Sequence, residues 1–167
     1  MKKTQYNPID VANYIVWRAN AIEKPITHLK LQKLLYYVVA KYAKDHDTML
    51  INEDIVKWQY GPVAKSVYHY FKLYGHNEIT KPIAYLTSTE MFHLTFANVD
   101  KKISELSGDD LFETVADSVL DKLIDFSAFD LVERTHQESA WKDFEIQILQ
   151  ANQDLPYSLT ELKMANI

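Results

Sequence analysis

The histidine and carboxylate side chains could do acid–base chemistry or bind a metal ion, but their spacing matches no local pattern for either. No two histidines form the H-E-x-x-H motif of a zinc-binding helix, and the separation of His69 from His76 is not a known ligand spacing. The chain has no cysteine, which excludes thiolate-bound zinc, iron–sulfur clusters, disulfides and thiol nucleophiles. We therefore expect no metal site, no cofactor and no catalytic residue.

The glycines are too few and too far apart to form a phosphate-binding loop. Only Gly61, Gly75 and Gly108 are present, so neither a G-x-G-x-x-G loop nor a P-loop motif occurs. The G-x-S-x-G elbow of many hydrolases is also absent from the sequence. These observations argue against nucleotide-loop enzymes and common hydrolases, and we expect the protein not to be an enzyme.

Three segments instead combine aromatic and basic side chains with apolar neighbours: residues 29–37 (LKLQKLLYY), 58–63 (WQYGPV) and 135–141 (THQESAW). For the leucines, Gly61 and Pro62, a structural role is the favoured interpretation. For the amphipathic side chains, a structural role and a role at a protein interface are both open, because aromatic and basic residues are common in interfaces. The candidate partner-binding residues are Lys30, Lys33, Tyr37, Trp58, Tyr60, His136 and Trp141.

The elements that must position these segments are mostly helical in the first half of the chain. Asn7 followed by Pro8 predicts a helix start, and Thr27 predicts the cap of a second helix that runs to about Asp45. The β-forming residues of 49–63 predict a short antiparallel hairpin with its turn at Asn52–Asp54. Gly61-Pro62 would end this hairpin, and Pro62 would open a helix that ends at Gly75.

The second half of the chain gives weaker signals at first and clear helix caps later. Residues 79–86 read as an edge strand or a loop, and residues 89–106 read as moderately helical. A helix is predicted to begin at Asp109–Asp110, and the pairs Ser127/Asp130 and Ser158/Glu161 resemble capping boxes of two short helices. We therefore predict a mainly α fold: one compact multi-helix domain, residues 1–167, with a small antiparallel β-hairpin.

Charge is unevenly distributed along the chain. Residues 1–75 carry 11 Lys and Arg against 6 Asp and Glu, whereas residues 76–167 carry 7 against 17. The overall charge of −5 and the pI of about 5.6 argue against nucleic acid as the main partner. The longest apolar run, Leu34–Ala40, is far shorter than the roughly 20 residues that span a bilayer, and no signal peptide is recognisable. We expect a cytoplasmic protein.

In order and spacing, the three segments resemble the SocA-type antitoxin domain, also called Panacea, which is known from phage-associated proteins. The resemblance covers roughly residues 5–150, with no recognisable motif between His76 and Leu106, and Ala140 stands where the family favours proline. It implies an antitoxin that neutralises a cognate protein toxin by direct binding, without a cofactor, as a homo-oligomer or as a hetero-oligomer with the toxin. The matching residues are Leu31–Tyr37, Trp58, Tyr60–Val63, Tyr68, Thr135, His136, Glu138 and Trp141.

Alternatives to a toxin-binding protein stay open at this point. One is a stand-alone phage- or prophage-associated regulator that binds nucleic acid through the lysines of the second helix. Another is an enzyme that uses His136 and Glu138, with Tyr37 or Tyr60, as acid, base or anchor. Within the antitoxin hypothesis, the acidic helix 109–130 could cover a basic toxin site, and delivery of the toxin to a protease is a variant of binding.

Overall fold

Helices make up most of the chain in the computed structural model, which describes residues 5–151 and 154–167. The helices are α1 (Pro8–Ala21), α2 (His28–His46), α3 (Lys65–Phe71), α4 (Val99–Ser107), α5 (Asp110–Leu123), α6 (Ala128–His136), α7 (Ser139–Lys142), α8 (Glu145–Ala151) and α9 (Leu159–Lys163), with a 3-10 turn at Lys72–Tyr74. The strands are β1 (Ile55–Trp58), β2 (Gly61–Ala64), β3 (Leu86–Ser88), β4 (Thr95–Phe96) and β5 (Leu155–Pro156).

Five predicted helix starts are confirmed, and each depends on a local hydrogen bond from a side chain to the backbone; the caps are Asn7, Thr27, Asp109, Ser127 and Ser158. The Asn7 Oδ1 atom accepts a hydrogen bond of 2.8 Å from the backbone N–H of Ile9, and Thr27 caps α2. Asp109 accepts hydrogen bonds from the first backbone N–H groups of α5. Both capping boxes, at the starts of α6 and α9, are formed. Such caps satisfy N–H groups that the helix itself cannot pair.

Helix α2 is the centre of the core. Every residue from Leu31 to Ala40 is buried, so this helix has no solvent-facing side over ten residues. Helices α1, α5, α6 and α9 and strand β2 all pack against it. Because α2 is buried on all sides, elements from distant parts of the sequence pack around it. Its position therefore determines where the hairpin and the α6–α7 segment lie.

The predicted hairpin exists, but its predicted turn is wrong. Strands β1 and β2 pair antiparallel with Trp58 opposite Gly61, so the turn is at Gln59-Tyr60 rather than at Asn52–Asp54. Ile51 instead forms an isolated parallel bridge with Tyr6. The turn is placed by Gly61, whose φ of +95° few other residues tolerate.

Pro62 lies within β2 and does not open a helix; α3 begins at Lys65. The sheet order is β2-β1-β5, so β2 is an edge strand. A proline is tolerated there because the missing N–H faces away from the ladder.

The segment from Thr89 to Leu106 is less helical than predicted. Strands β3 and β4 form a small antiparallel pair, and helix α4 begins only at Val99, with Asn98 as its cap. The fold is thus mainly α with small antiparallel sheets, and a purely all-α description would omit them. Along the described residues, each helix is too short or too polar to cross a bilayer.

Candidate functional site

The three aromatic and basic segments meet at Gly61. A Cβ atom placed on Gly61 would lie 2.6 Å from the Oγ1 atom of Thr135 and 3.1 Å from the Cε atom of Lys33. The α2 helix, the β1–β2 hairpin and helix α6 therefore touch at one point. Only a residue without a side chain fits there, so the glycine is required by close packing as well as by its positive φ.

Lys33 is the buried cation of this junction. Its side chain is fully buried, and its Nζ atom donates a hydrogen bond of 2.9 Å to the carbonyl oxygen of Pro62. None of the ion pairs among residues 5–151 and 154–167 includes Lys33. Burial lowers the pKa of Lys33 from 10.5 to about 7, because the charged form loses its hydration without gaining a carboxylate partner.

Gln32 binds the neighbouring strand in the way another strand would. Its side-chain oxygen accepts a hydrogen bond of 3.0 Å from the backbone N–H of Ala64, and its side-chain nitrogen donates one of 3.4 Å to the Ala64 carbonyl. Gln32 and Lys33 thus attach the hairpin to α2 through consecutive side chains. Both contacts are with backbone atoms, so they specify the position of β2 rather than the identity of its side chains.

Glu138 is the acceptor that fastens the α6–α7 corner to α2. Its carboxylate accepts hydrogen bonds from the hydroxyl groups of Tyr36, at 2.7 Å, and Tyr37, at 3.3 Å, and from the backbone N–H of Asn166, at 2.7 Å. Burial raises the pKa of Glu138, and burial together with the nearby Glu138 charge raises the pKa of both tyrosines. The tyrosine hydroxyls therefore stay protonated and act as donors.

His136 and Trp141 form a stacked pair on the other side of the hairpin. Their ring centroids are 3.7 Å apart with an angle of 18° between the planes. The Trp141 Nε1 atom donates a hydrogen bond of 2.8 Å to the backbone carbonyl of Trp58. Burial lowers the pKa of His136. Its Nε2 atom is buried without a hydrogen-bond partner among the described residues.

A cleft of about 520 Å³ opens beside this junction, and we call it the hairpin cleft. Trp58 donates to Asp154 through its Nε1 atom, at 2.8 Å, and stacks edge-on against Tyr68 at 5.1 Å between ring centroids. Clefts of this size that combine aromatic walls with polar groups are typical binding sites. The lining residues are His28, Leu29, Gln32, Lys33, Lys57, Trp58, Gln59, Tyr60, Val63, Tyr68, Ile148, Leu149 and Asp154.

The seven candidate residues are placed in three environments. Lys33, Tyr37 and Trp141 are buried, so their side chains hold the junction together and do not reach the surface. Lys30, Trp58 and His136 are half-buried, and Tyr60 is exposed at the mouth of the hairpin cleft.

The structure brings Lys33, Trp58 and Tyr60 together at the hairpin cleft. Lys30 lies elsewhere: its Nζ atom donates to the carbonyl oxygen of Ile124, next to the end of α5.

Sequence reasoning missed several residues of this site. Lys57 is fully buried and pairs with Glu161 at 2.6 Å, although it alternates with apolar strand residues in a way that suggests a solvent-facing lysine. His28 and Leu149 carry no motif signal at all. The one available signal was Gln32, because a glutamine inside a leucine-rich helix face must find hydrogen-bond partners when buried.

The lysines predicted to face nucleic acid are engaged within the protein. Beside the buried Lys33, Lys41 pairs with Asp45, and Lys44 donates to the carbonyl oxygens of Ala165 and Ile167. The two members of the proposed acid–base pair have other partners, since Glu138 accepts hydrogen bonds from tyrosines and His136 stacks on Trp141. Among the residues that the structure describes, no group of three or more His, Asp or Glu side chains could hold a metal ion.

The acidic helix is partly neutralised by the basic first half of the chain. Asp117 pairs with Arg18 at 3.3 Å, and Asp125, just after α5, pairs with Lys24. Asp109 accepts a hydrogen bond of 2.6 Å from the hydroxyl of Tyr6. The uneven charge of the sequence therefore serves, at these positions, to attach α5 to α1 and its flanking residues.

Comparison with known proteins agrees with the resemblance in the motifs. No solved structure matches the chain. Antitoxin SocA of Caulobacter vibrioides (strain NA1000 / CB15N) is 38% identical over 65 residues, which are 39% of this chain and 35% of that protein. The match thus spans about a third of the length of this relative. The model of the family described as "Antitoxin SocA-like, Panacea domain" matches residues 31–142, two thirds of the chain, and the protein therefore belongs to this family.

Proposed function

We propose that this protein is an antitoxin that neutralises a protein toxin by direct binding at the rim of the hairpin cleft. The observation that carries the proposal is the family match, whose range includes the part of α2, the β1–β2 hairpin and the residue Tyr68 of α3 that line the cleft. Neutralisation by binding needs no catalytic step, and it places the protein in the cytoplasm, where a toxin made by the same cell would act.

The rim of the cleft offers the kind of side chains that anchor protein complexes. Tyr60 is 56% exposed at the hairpin turn, and Trp58 and Tyr68 form the adjacent aromatic wall. Leu149 on α8 is also exposed and adds an apolar contact. Aromatic side chains at the centre of an interface commonly contribute most of its binding energy.

In this proposal, the buried candidates act by positioning the rim. Lys33 holds the Pro62 carbonyl and Trp141 holds the Trp58 carbonyl, so two fixed donors clamp the hairpin on either side of its turn. Tyr37 and Glu138 hold the α6–α7 corner in turn. A rigid hairpin presents Tyr60 in one orientation, which reduces the entropy lost on binding.

The test uses the protein encoded by the gene adjacent to this one. That protein is produced alone and together with this chain, and growth of the cells and co-purification are measured. We expect growth arrest by the neighbour alone, relief on co-expression and a stable complex. Absence of toxicity, or toxicity that this chain does not relieve, would contradict the proposal.

Variants locate the binding surface in the same assay. Tyr60→Ala should weaken the complex at least tenfold, because it removes an exposed anchor, while the unfolding temperature stays the same. Phe129→Ala, at an exposed aromatic residue of α6 that does not line the cleft, is the matched control and should bind like the wild type. Equal binding by Tyr60→Ala and the wild type would remove the rim from the interface.

A further inference from the structure

Residues Leu86–Phe96, which form β3, β4 and their connection, carry the most exposed apolar side chains among the described residues, and we call this segment the apolar arm. Phe92 is 96% exposed and Met91 is 82% exposed, while Leu86, Leu94 and Phe96 are also exposed. These five side chains lie within eleven residues, and clustered apolar exposure of this kind on a monomer is often functional.

The tip of the arm is also strained. Phe92 has a φ of +70°, in the left-handed region that a residue with a large side chain seldom adopts. Nothing in the core benefits from this conformation, because the ring is almost fully in solvent. A strained backbone that turns an aromatic side chain outward is a second observation, independent of exposure, that points to an external contact.

The base of the arm is held firmly. Tyr85 is buried and its hydroxyl donates a hydrogen bond of 2.8 Å to Asp10 on α1, while its carbonyl accepts one of 2.9 Å from the backbone N–H of Ala97. The Leu86 N–H donates to the hydroxyl of Tyr70 on α3 at 3.3 Å. A fixed base with an apolar tip is pre-organised for binding, because little freedom remains to be lost.

We propose that the apolar arm inserts its tip, Met91 and Phe92, into an uncharged apolar groove of the protein toxin. The proposal rests on the proposed function and adds a second contact, made by a different part of the chain from the hairpin cleft. The arm carries only Glu90 and His93 as titratable side chains, so a charged groove would leave its own charges unpaired.

A second copy of this chain fits the arm less well. Self-association through strand edges needs long regular edges, but β3 has three residues, β4 has two, and their register is irregular between Leu86 and Ser88. Edge-to-edge pairing of two arms would also leave the tip exposed, whereas insertion into a concave receptor covers it.

The experiment measures the affinity of the whole chain and its variants for the purified product of the adjacent gene. Phe92→Ser and Met91→Ser should each weaken binding at least tenfold, and the double variant should weaken it more. The unfolding temperatures should not fall, because neither side chain contributes to the core. Phe129→Ser is the matched control, since Phe129 is a comparably placed surface phenylalanine on α6, and it should bind within twofold of the wild type.

The possible results distinguish failure of this inference from failure of the proposed function. If the wild type binds and protects while the arm variants bind equally well, the arm is not the contact and only this inference fails. Equal losses in the arm variants and in Phe129→Ser would also overturn it. If the arm variants change the protein from dimer to monomer by light scattering but bind the toxin normally, the arm is a self-association surface. If the wild type does not bind, the proposed function fails together with the inference.

Discussion

The Nζ atom of Lys33 lies 2.9 Å from the carbonyl oxygen of Pro62, deep between α2 and the hairpin. A single ammonium group thus links the central helix to an edge strand in a place from which water is excluded. Because the site offers a carbonyl dipole rather than a carboxylate, the neutral amine is nearly as well accommodated as the charged form. This balance makes Lys33 sensitive to pH near neutrality.

Stability should rise with pH above about 7 because of Lys33. Its pKa is about 7 in the folded chain and near 10.5 when unfolded, so between these values the unfolded state binds a proton that the folded state does not. The free energy of unfolding then increases by up to about 1.4 kcal/mol per pH unit. Urea denaturation at pH 7 and at pH 9 measures this increase in the free energy of unfolding.

The comparison variant for this effect is Lys33→Met, which keeps the aliphatic stem but cannot titrate. It should lack the part of the rise that Lys33 supplies, whereas Lys101→Met, at an exposed lysine of α4, should retain it. The same rise in Lys33→Met and in the wild type would assign the effect to other groups.

Substitution of Gly61 by alanine should destabilise the protein by about 3 kcal/mol, from backbone strain at positive φ together with the contact with Thr135. In a Thr135→Ala background, the added cost of Gly61→Ala should be smaller by about 1 kcal/mol, since the Oγ1 atom is gone. Thr135→Ser keeps that atom and should give no relief. Denaturation of the four members of each cycle tests this, and strict additivity would show that the two residues do not touch.

Truncation of Glu138 to alanine should lower the free energy of unfolding by about 2–3 kcal/mol. The hydroxyls of Tyr36 and Tyr37 would lose their buried acceptor, and an unpaired buried donor is costly. Glu133→Ala, at an exposed carboxylate of the preceding helix α6, should change stability by less than about 0.5 kcal/mol. Similar values for the two variants, measured by denaturant titration, would mean that Glu138 does not hold the corner.

Substitution of His136 distinguishes a structural role of this residue from a catalytic one. Loss of its stacking on Trp141 in His136→Ala should cost about 1 kcal/mol of stability and weaken toxin binding through the displaced hairpin. Protection of cells should fall in proportion to binding. A variant that remains folded and binds the toxin as well as the wild type, but no longer protects, would instead support the enzyme hypothesis.

Charge reversals on the acidic helix should have different effects on stability at different positions. Asp117→Lys removes the partner of Arg18 and an acceptor of the buried Tyr14 hydroxyl, so it should cost about 1–2 kcal/mol of stability. Asp121→Lys alters an exposed carboxylate of the same helix and should leave stability unchanged. If a basic site of the toxin approaches α5, Asp121→Lys should slow association at low salt. Unchanged association kinetics would show that the acidic side chains of α5 only face solvent.

The sequence predicted the parts of the fold that depend on neighbours along the chain. The caps at Asn7, Asp109 and Ser127 each use a side chain and a backbone N–H two or three residues away, so they are readable without tertiary information. The hairpin turn is different. Its position depends on how Gly61 packs against Lys33 and Thr135, which are 28 and 74 residues away in sequence, and local β-propensity placed it too early.

The candidate site, like the fold, was predictable only in part. The residue types of the three segments were informative, since they do meet in space, but their exposure was not. Lys33 lies on a helix face with three other lysines, and only the hairpin carbonyl above it explains why it alone is fully buried. The apolar arm was missed because its residues alternate too irregularly to predict strands, and exposure of an apolar side chain is not visible in a sequence.

The pairing of Gln32 with both backbone groups of Ala64 has a consequence for solubility. An edge strand with unpaired N–H and C=O groups is a template on which another chain can add a strand and begin an aggregate. The Gln32 amide occupies the inner part of this edge with a group that cannot propagate a sheet. Pro62 removes another donor from the same strand. Because β2 is buried under α2 in the folded chain, this edge becomes available to another chain only when the hairpin detaches, and a Gln32→Leu chain should form thioflavin-positive aggregates sooner than the wild type on mild heating.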